Sequence, residues 1–248
     1  TPARARELRD FDQVNVSYDG RGATYEAVRG YDGAAKAERA MAALRAAGVP
    51  FGVNVVLTRQ SFRRLRETAA RAAELGAREV QLIRFKPAGR GRLDYLAQRL
   101  DEAQIDAFPE LLRELSDTLE LAVRIDCALV PFLGGTVPEE ELVRFGVMGC
   151  EAGRSLLAVK ADGASSPCSF WEAPGESFER AWTEDAAVQR FRAYRRALPE
   201  PCGSCPVVRA CRGGCRIVAS HLGGEPFAPD PECPRVRAHR RRRVEGAD

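Results

Sequence analysis

Apolar residues in the first half of the chain follow two periodicities, one typical of strands and one typical of helices. Short apolar, β-branched runs bounded by Gly, Asp or polar residues predict buried strands. The four strand candidates cover residues 13–18, 51–57, 79–84 and 121–125. Ala-rich stretches with apolar residues at helical spacing separate them. These helix candidates cover residues 34–47, 60–75 and 101–119, with Pro109 expected to divide the last one. The alternation predicts parallel βαβ units and an α/β fold.

The pattern changes near Cys127, where the helical stretches shorten and Gly, Pro and Cys become frequent. We expect a hairpin around Asp162-Gly163 and helices over 177–182 and 186–197. Residues 199–215 have little periodicity, which indicates a loop shaped by metal rather than by a core. We therefore predict two domains, residues 1–126 and 127–248.

Composition excludes several classes of protein. The 248 residues include 45% hydrophobic and 29% charged residues, which are ordinary globular values. The sequence contains no run of about 18 apolar residues, so we predict no membrane span. The first residues lack a signal pattern, and we expect a cytoplasmic protein. The net charge is only +3. Arginines crowd into the C-terminal tail without interleaved aromatic residues, a pattern that does not favour a nucleic-acid partner.

The cysteines carry the strongest chemical signal. Seven of the eight lie in the last hundred residues, at Cys150, Cys168, Cys202, Cys205, Cys211, Cys215 and Cys233. In a reducing compartment, clustered cysteines indicate metal ligands rather than disulfides. A structural zinc ion uses four ligands, and the run C-x2-C-x5-C-x3-C offers only one C-x2-C pair. Two four-iron clusters use seven thiolates better, although zinc remains open.

The order Cys150-x12-Gly163-x4-Cys168, then C-x2-C-x5-C-x3-C, then Cys233 resembles the seven-cysteine SPASM domain. Such domains follow the barrel of radical S-adenosylmethionine (radical SAM) enzymes and carry two auxiliary iron–sulfur clusters. The resemblance implies the C-terminal half of a partial (β/α)6 TIM-like barrel, followed by a small cysteine-rich α+β domain.

The resemblance also implies how the ligands divide. Cys150, Cys168 and Cys215 would hold the first auxiliary 4Fe-4S cluster. The second cluster would be held by Cys202, Cys205, Cys211 and Cys233. Cys127 would be a fourth ligand of the first cluster, or it is a small apolar residue at a strand end.

The first half of the chain supports the same resemblance. The stretch VNVSYDG is similar to the fourth barrel strand of these enzymes, and an arginine follows in YEAVRG. By resemblance, Ser17 and Arg29 would bind the amino-acid portion of S-adenosylmethionine, and Asp19 would shape the turn or reach the cofactor. Asn54, in FGVNVVL, corresponds to a recurring asparagine of the next strand.

One departure from the family is large, because the sequence contains no C-x3-C-x2-C motif for the cluster that cleaves S-adenosylmethionine. We expect the isolated chain to be inactive in radical chemistry. The resemblance implies part of a peptide or protein maturase that uses a 5′-deoxyadenosyl radical, a peptide or protein substrate, and an electron donor such as a flavodoxin or ferredoxin. Two alternatives are a non-enzymatic iron–sulfur protein for electron transfer or scaffolding, and a zinc-binding interaction module.

Overall fold

A four-stranded parallel sheet organises the first part of the chain in the computed structural model, which describes residues 1–147, 149–172 and 175–245. The strands lie in the order β1-β2-β3-β4 and cover Val14–Ser17, Phe51–Leu57, Glu79–Arg84 and Ala122–Ile125. Each neighbouring pair is parallel. The sheet confirms the predicted α/β class, while the closure of a partial barrel stays a prediction.

Helices connect the strands. Before β4 they are α1 Pro2–Glu7, α2 Ala23–Arg29, α3 Ala34–Ala46, α4 Arg59–Arg63, α5 Leu65–Glu74, α6 Gly91–Gln98 and α7 Glu102–Thr118. After β4 come α8 Glu139–Arg144, α9 Phe178–Glu184, α10 Ala186–Arg196, α11 Val208–Cys211, α12 Arg216–Gly223 and α13 Pro234–Glu245, with a 3₁₀ turn at Val130–Leu133. A short antiparallel pair, β5 Ala158–Val159 and β6 Ser165–Ser166, forms the predicted hairpin.

One face of the sheet supplies the core. Alternate strand residues such as Val53, Val55 and Leu82 are fully buried, as are Met41 of α3 and Phe108 of α7. Burying one such side chain contributes roughly 1.5–3 kcal/mol, so this apolar layer dominates the stability of the sheet.

Two helix predictions were wrong in detail. Helix α7 continues through Pro109. The residues around Pro109 form a buried apolar stripe, and we infer that its packing outweighs the hydrogen bond that proline cannot donate. The predicted helix over 60–75 is two helices that meet at Arg64, whose φ of −109° departs from helical geometry.

The chain forms two compact units. The first comprises Thr1–Phe85, Asp94–Leu129 and Arg144–Val147, and the second comprises Lys86–Leu93, Val130–Val143 and Met148–Asp248. The units interleave along the sequence, so the domain boundary after residue 126 stays a prediction. Within the described residues, no helix is both long enough and apolar enough to cross a membrane.

Aromatic packing supplies part of the core of the second unit. Trp171, Phe191, Tyr194 and Phe227 pack with ring centroids 5.2–6.3 Å apart. Aromatic pairs at such distances contribute about 0.5–1.5 kcal/mol each beyond simple burial. In the stretch 199–215, which we expected to be a loop, helix α11 occupies four residues.

Candidate functional site

A row of polar side chains crosses the sheet on the face opposite the apolar core. Ser17 pairs with Asn54 across β1 and β2, Asn54 pairs with Gln81, and Gln81 pairs with Arg124. Residues that pair across parallel strands project to the same side. All four are exposed or half-buried, whereas their strand neighbour Val53 is buried. The row forms a polar surface at the centre of the sheet.

Asp19 and Arg29 form a buried ion pair just beyond the end of β1. Arg29 Nε donates to Asp19 Oδ2 over 2.5 Å, and the backbone N–H of Val56 donates to Asp19 Oδ1 over 2.7 Å. The side chain of Asp19 is fully buried, while 27% of Arg29 is exposed. Burial raises the pKa of Asp19, and the bonds from Val56 and Arg29 oppose that rise.

The ion pair defines what each partner can contribute to a ligand site. Asp19 is turned inward and holds both the turn and Arg29. Among the described residues, the Asp19 carboxylate is the only hydrogen-bond partner of Arg29, and Arg29 donates to it through Nε. The two terminal amino groups of Arg29 can therefore meet a carboxylate ligand through parallel hydrogen bonds. Asn54, by comparison, accepts a bond from Asn15 Nδ2 at 3.3 Å.

A cavity of about 780 Å³ lies near the same turn, between α2, α4 and α5. Five arginines line it, at Arg21, Arg59, Arg63, Arg64 and Arg71, together with Tyr18 and Glu67. Two of these arginines, Arg21 and Arg71, pair with Glu38. None of the predicted cofactor residues lines this cavity, so it is separate from the polar row.

The cysteines of the second unit fall into two groups. Cys202, Cys205, Cys211 and Cys233 line one small cavity together with Val208 and Val236. Cys168 interacts electrostatically with Cys150 and Cys215. Cys211 and Cys215 are four residues apart in sequence but belong to different groups. No cysteine is in a disulfide, and Cys127 lies in the first unit, where it is exposed.

Burial makes these thiols poor acids on their own. It raises the pKa of Cys202 to about 12 and that of Cys168 to about 11. The pKa values of Cys211 and Cys233 are raised for the same reason, with neighbouring thiols adding to the shift. A bound metal reverses this preference, because a coordinating thiol loses its proton. The donor set of soft thiols around an apolar cavity fits an iron–sulfur cluster.

Charged side chains contact the cysteine groups. Arg195 and Arg212 both donate to the backbone carbonyl of Cys150, at 2.7 and 2.8 Å. The backbone N–H of Cys215 donates to buried Asp230 at 3.0 Å. Arg216 stacks on the ring of Tyr194, and its charge opposes the rise in the pKa of Cys202. Sequence reasoning missed all four charged residues, because none differs in local pattern from the many other charged positions.

Among the described residues, no three His, Cys, Asp or Glu side chains converge tightly enough to hold a single metal ion. The predicted ligands form two looser groups, one of three cysteines and one of four. Cluster ligation by each group therefore stays a prediction, as does the participation of Cys127.

Comparison with known proteins finds several relatives. No protein-family profile matches the chain. It is 33% identical over 257 residues to the PqqA peptide cyclase of Ruegeria pomeroyi, covering 96% of this chain and 65% of that protein. It is 32% identical to the mycofactocin maturase MftC of Mycolicibacterium smegmatis, covering 94% of this chain and 60% of that protein. The chain thus spans less than two thirds of the length of these relatives.

Solved structures with the same fold include two enzymes at low sequence identity. AnSMEcpe with bound AdoMet superposes with a TM-score of 0.68 at 17% identity, covering all of this chain and 72% of the other. Streptococcus suis SuiB bound to its precursor peptide SuiA superposes with a TM-score of 0.68 at 16% identity, covering 94% of this chain and 56% of the other. At such low sequence identity, the two superpositions show only that the fold is shared.

Proposed function

The chain belongs to the radical SAM enzymes that carry a SPASM domain, and from that premise we propose that it is the auxiliary-cluster portion of a peptide maturase. Cys150, Cys168 and Cys215 would bind the first auxiliary 4Fe-4S cluster, and Cys202, Cys205, Cys211 and Cys233 the second. The observation that carries the proposal is the separation of Cys211 from Cys215 into different cysteine groups. If the cysteines bound clusters in sequence order, these two would be ligands of the same cluster.

A peptide substrate is supported by the relatives. Two are named as a peptide cyclase and a maturase, and SuiB is solved with a precursor peptide. The polar row that begins at Ser17 offers hydroxyl and amide groups suited to a polar ligand. An external electron donor such as a flavodoxin or ferredoxin completes the proposal.

The chain's own residues would bind and orient the cofactor. Arg29 would hold the carboxylate of S-adenosylmethionine through its terminal amino groups, with its own direction fixed by Asp19. Ser17 would donate a hydroxyl bond from the neighbouring strand end. When bound, the auxiliary clusters supply sites that accept or pass single electrons. Six of the seven predicted ligands are partly buried and Cys215 is buried, which limits access of water.

The proposal is tested by paired cysteine variants of the chain, purified without oxygen and reconstituted. Wild type should bind about eight irons and matching sulfide if both clusters are 4Fe-4S. Cys211→Ala and Cys205→Ala should each remove the same spectroscopic signal, about half the iron. Cys215→Ala and Cys168→Ala should each remove the other half.

Two outcomes would overturn the assignment. If Cys211→Ala and Cys215→Ala abolish the same signal, the cysteines ligate in sequence order. If the protein binds one or two zinc ions and no sulfide, it is a zinc module instead. Cys127→Ala measures whether the exposed cysteine of the first unit contributes, since a ligand would change the spectrum of the first cluster alone.

A further inference from the structure

Arg195 projects from α10 towards one of the predicted cluster ligands. Its Nη2 donates to the backbone carbonyl of Cys150 at 2.7 Å and lies 3.7 Å from Cys150 Sγ. Its Nη1 is buried and has no acceptor among the described residues. Because buried N–H groups in native proteins are nearly always paired, this unpaired donor marks a position where an acceptor is expected.

The charge of Arg195 is not neutralised by an ion pair. Arg212, the other arginine at Cys150, forms a salt bridge with Glu151. No salt bridge in the described part of the chain joins Arg195 to a carboxylate, and burial lowers its pKa. Glu151 acts on Arg195 through its charge without forming an ion pair with it. A partly buried cation without a direct ion pair is costly, so a nearby anion would stabilise it.

Different charged side chains act on the two cysteine groups. Asp230, which is 1% exposed, raises the pKa values of Cys202, Cys211 and Cys233 by its negative charge. Arg216 opposes it at Cys202. At the first group, by contrast, the cations Arg195 and Lys86 act on Cys150 and Cys168. Asp230 also accepts the backbone N–H of Cys215, so the two groups differ in the cations that act on them and not in the absence of a carboxylate from the first group.

We propose that Arg195 donates a charge-assisted hydrogen bond to the iron–sulfur cluster held by Cys150, Cys168 and Cys215 and raises the reduction potential of that cluster. The inference rests on the ligand assignment proposed above. Reduction adds a negative charge to the cluster, and a nearby guanidinium stabilises that charge more than it stabilises the oxidised form. Arg195 is thus a positioning residue that tunes the potential of the first cluster.

The test measures reduction potentials in a protein that carries only the first cluster. In the Cys205→Ala background, which removes the second cluster, Arg195→Gln and Arg195→Lys are compared with Arg196→Gln. Arg196 lies on the same helix and is exposed, so its variant removes an equal charge away from the cluster. The chain is reconstituted without oxygen, its iron content is measured, and it is titrated with a reductant under electron paramagnetic resonance.

Arg195→Gln should lower the reduction equilibrium constant at least tenfold, about 59 mV for a one-electron couple. Arg195→Lys should restore part of the shift, and Arg196→Gln should leave the potential unchanged. An unchanged potential in Arg195→Gln with full iron content overturns the proposal. So does loss of the cluster from both Arg195 variants, since Arg195 would then be needed for assembly. If wild type binds no cluster, the ligand assignment itself fails, which is a separable result.

Discussion

Arg29 Nε donates to Asp19 Oδ2 over 2.5 Å, and Asp19 is fully buried beneath it. The carboxylate also accepts the backbone N–H of Val56, so one side chain joins the end of β1, the end of α2 and strand β2. The cation is thereby held at the edge of the polar row. Its orientation depends on a residue that has no access to solvent.

Replacing Asp19 with Ala should destabilise the chain by about 3 kcal/mol, because it leaves the Val56 N–H unsatisfied and Arg29 without its counter-ion. Asp19→Asn keeps an acceptor for Val56 and should cost less. Denaturant unfolding followed by circular dichroism measures both. Asp12→Ala, at an exposed position, is the matched control. Equal stability of Asp19→Ala and Asp12→Ala would contradict the structural role of the pair.

Glu38 should contribute stability that disappears in acid. Hydrogen bonds from Arg21, Tyr18 and Arg71 lower its pKa from 4.5 to about 2, with Arg21 the largest cause. A depressed folded-state pKa stabilises the native state above the unfolded value, and this contribution is lost as the pH falls from about 4.5 to 2. The contribution is about 1–3 kcal/mol, reduced by solvent because Arg21 is exposed.

The measurement compares wild type with Glu38→Gln by denaturant unfolding between pH 7 and pH 3. The stability difference should be largest at pH 7 and should narrow below pH 4.5. Glu7→Gln, at an exposed position of α1, serves as the control and should show little difference at any pH. A difference that is constant across the range would show that Glu38 acts through packing rather than charge.

Gly20 should not tolerate a side chain. Its φ is +118°, and an added Cβ would lie 3.1 Å from both Thr24 and Thr68. Gly20→Ala should therefore destabilise the chain by about 1–3 kcal/mol, measured by thermal unfolding. Gly223→Ala is the opposite case, since it lies in α12 with ordinary φ and open space around it. It should stabilise slightly, by about 0.5–1 kcal/mol; equal effects at the two positions would refute the backbone argument.

Removal of bound metal should loosen the cysteine-rich segment and leave the sheet unchanged. Four predicted ligands from different parts of this segment line one cavity, so metal ligation would supply much of the local stability. Hydrogen exchange should become at least roughly tenfold faster across residues 202–233 after oxidative cluster loss. Amides of Phe51–Leu57 should exchange at the same rate before and after. Unchanged exchange across 202–233 would mean that this segment folds without metal.

The sequence by itself determined the elements whose signals are local. The strand Glu79–Arg84 shows this, since its apolar alternation requires no partner to recognise. The cysteine spacing likewise suggested the division into two ligand groups, through its resemblance to a known family. Tertiary structure decided what depends on distant contacts. Helix α7 passes through Pro109, Asp19 turns inward to hold Arg29, and Arg195 reaches Cys150 from 45 positions away. Local periodicity carries no information about such pairs, because burial and long-range packing bring them together only once the chain is folded.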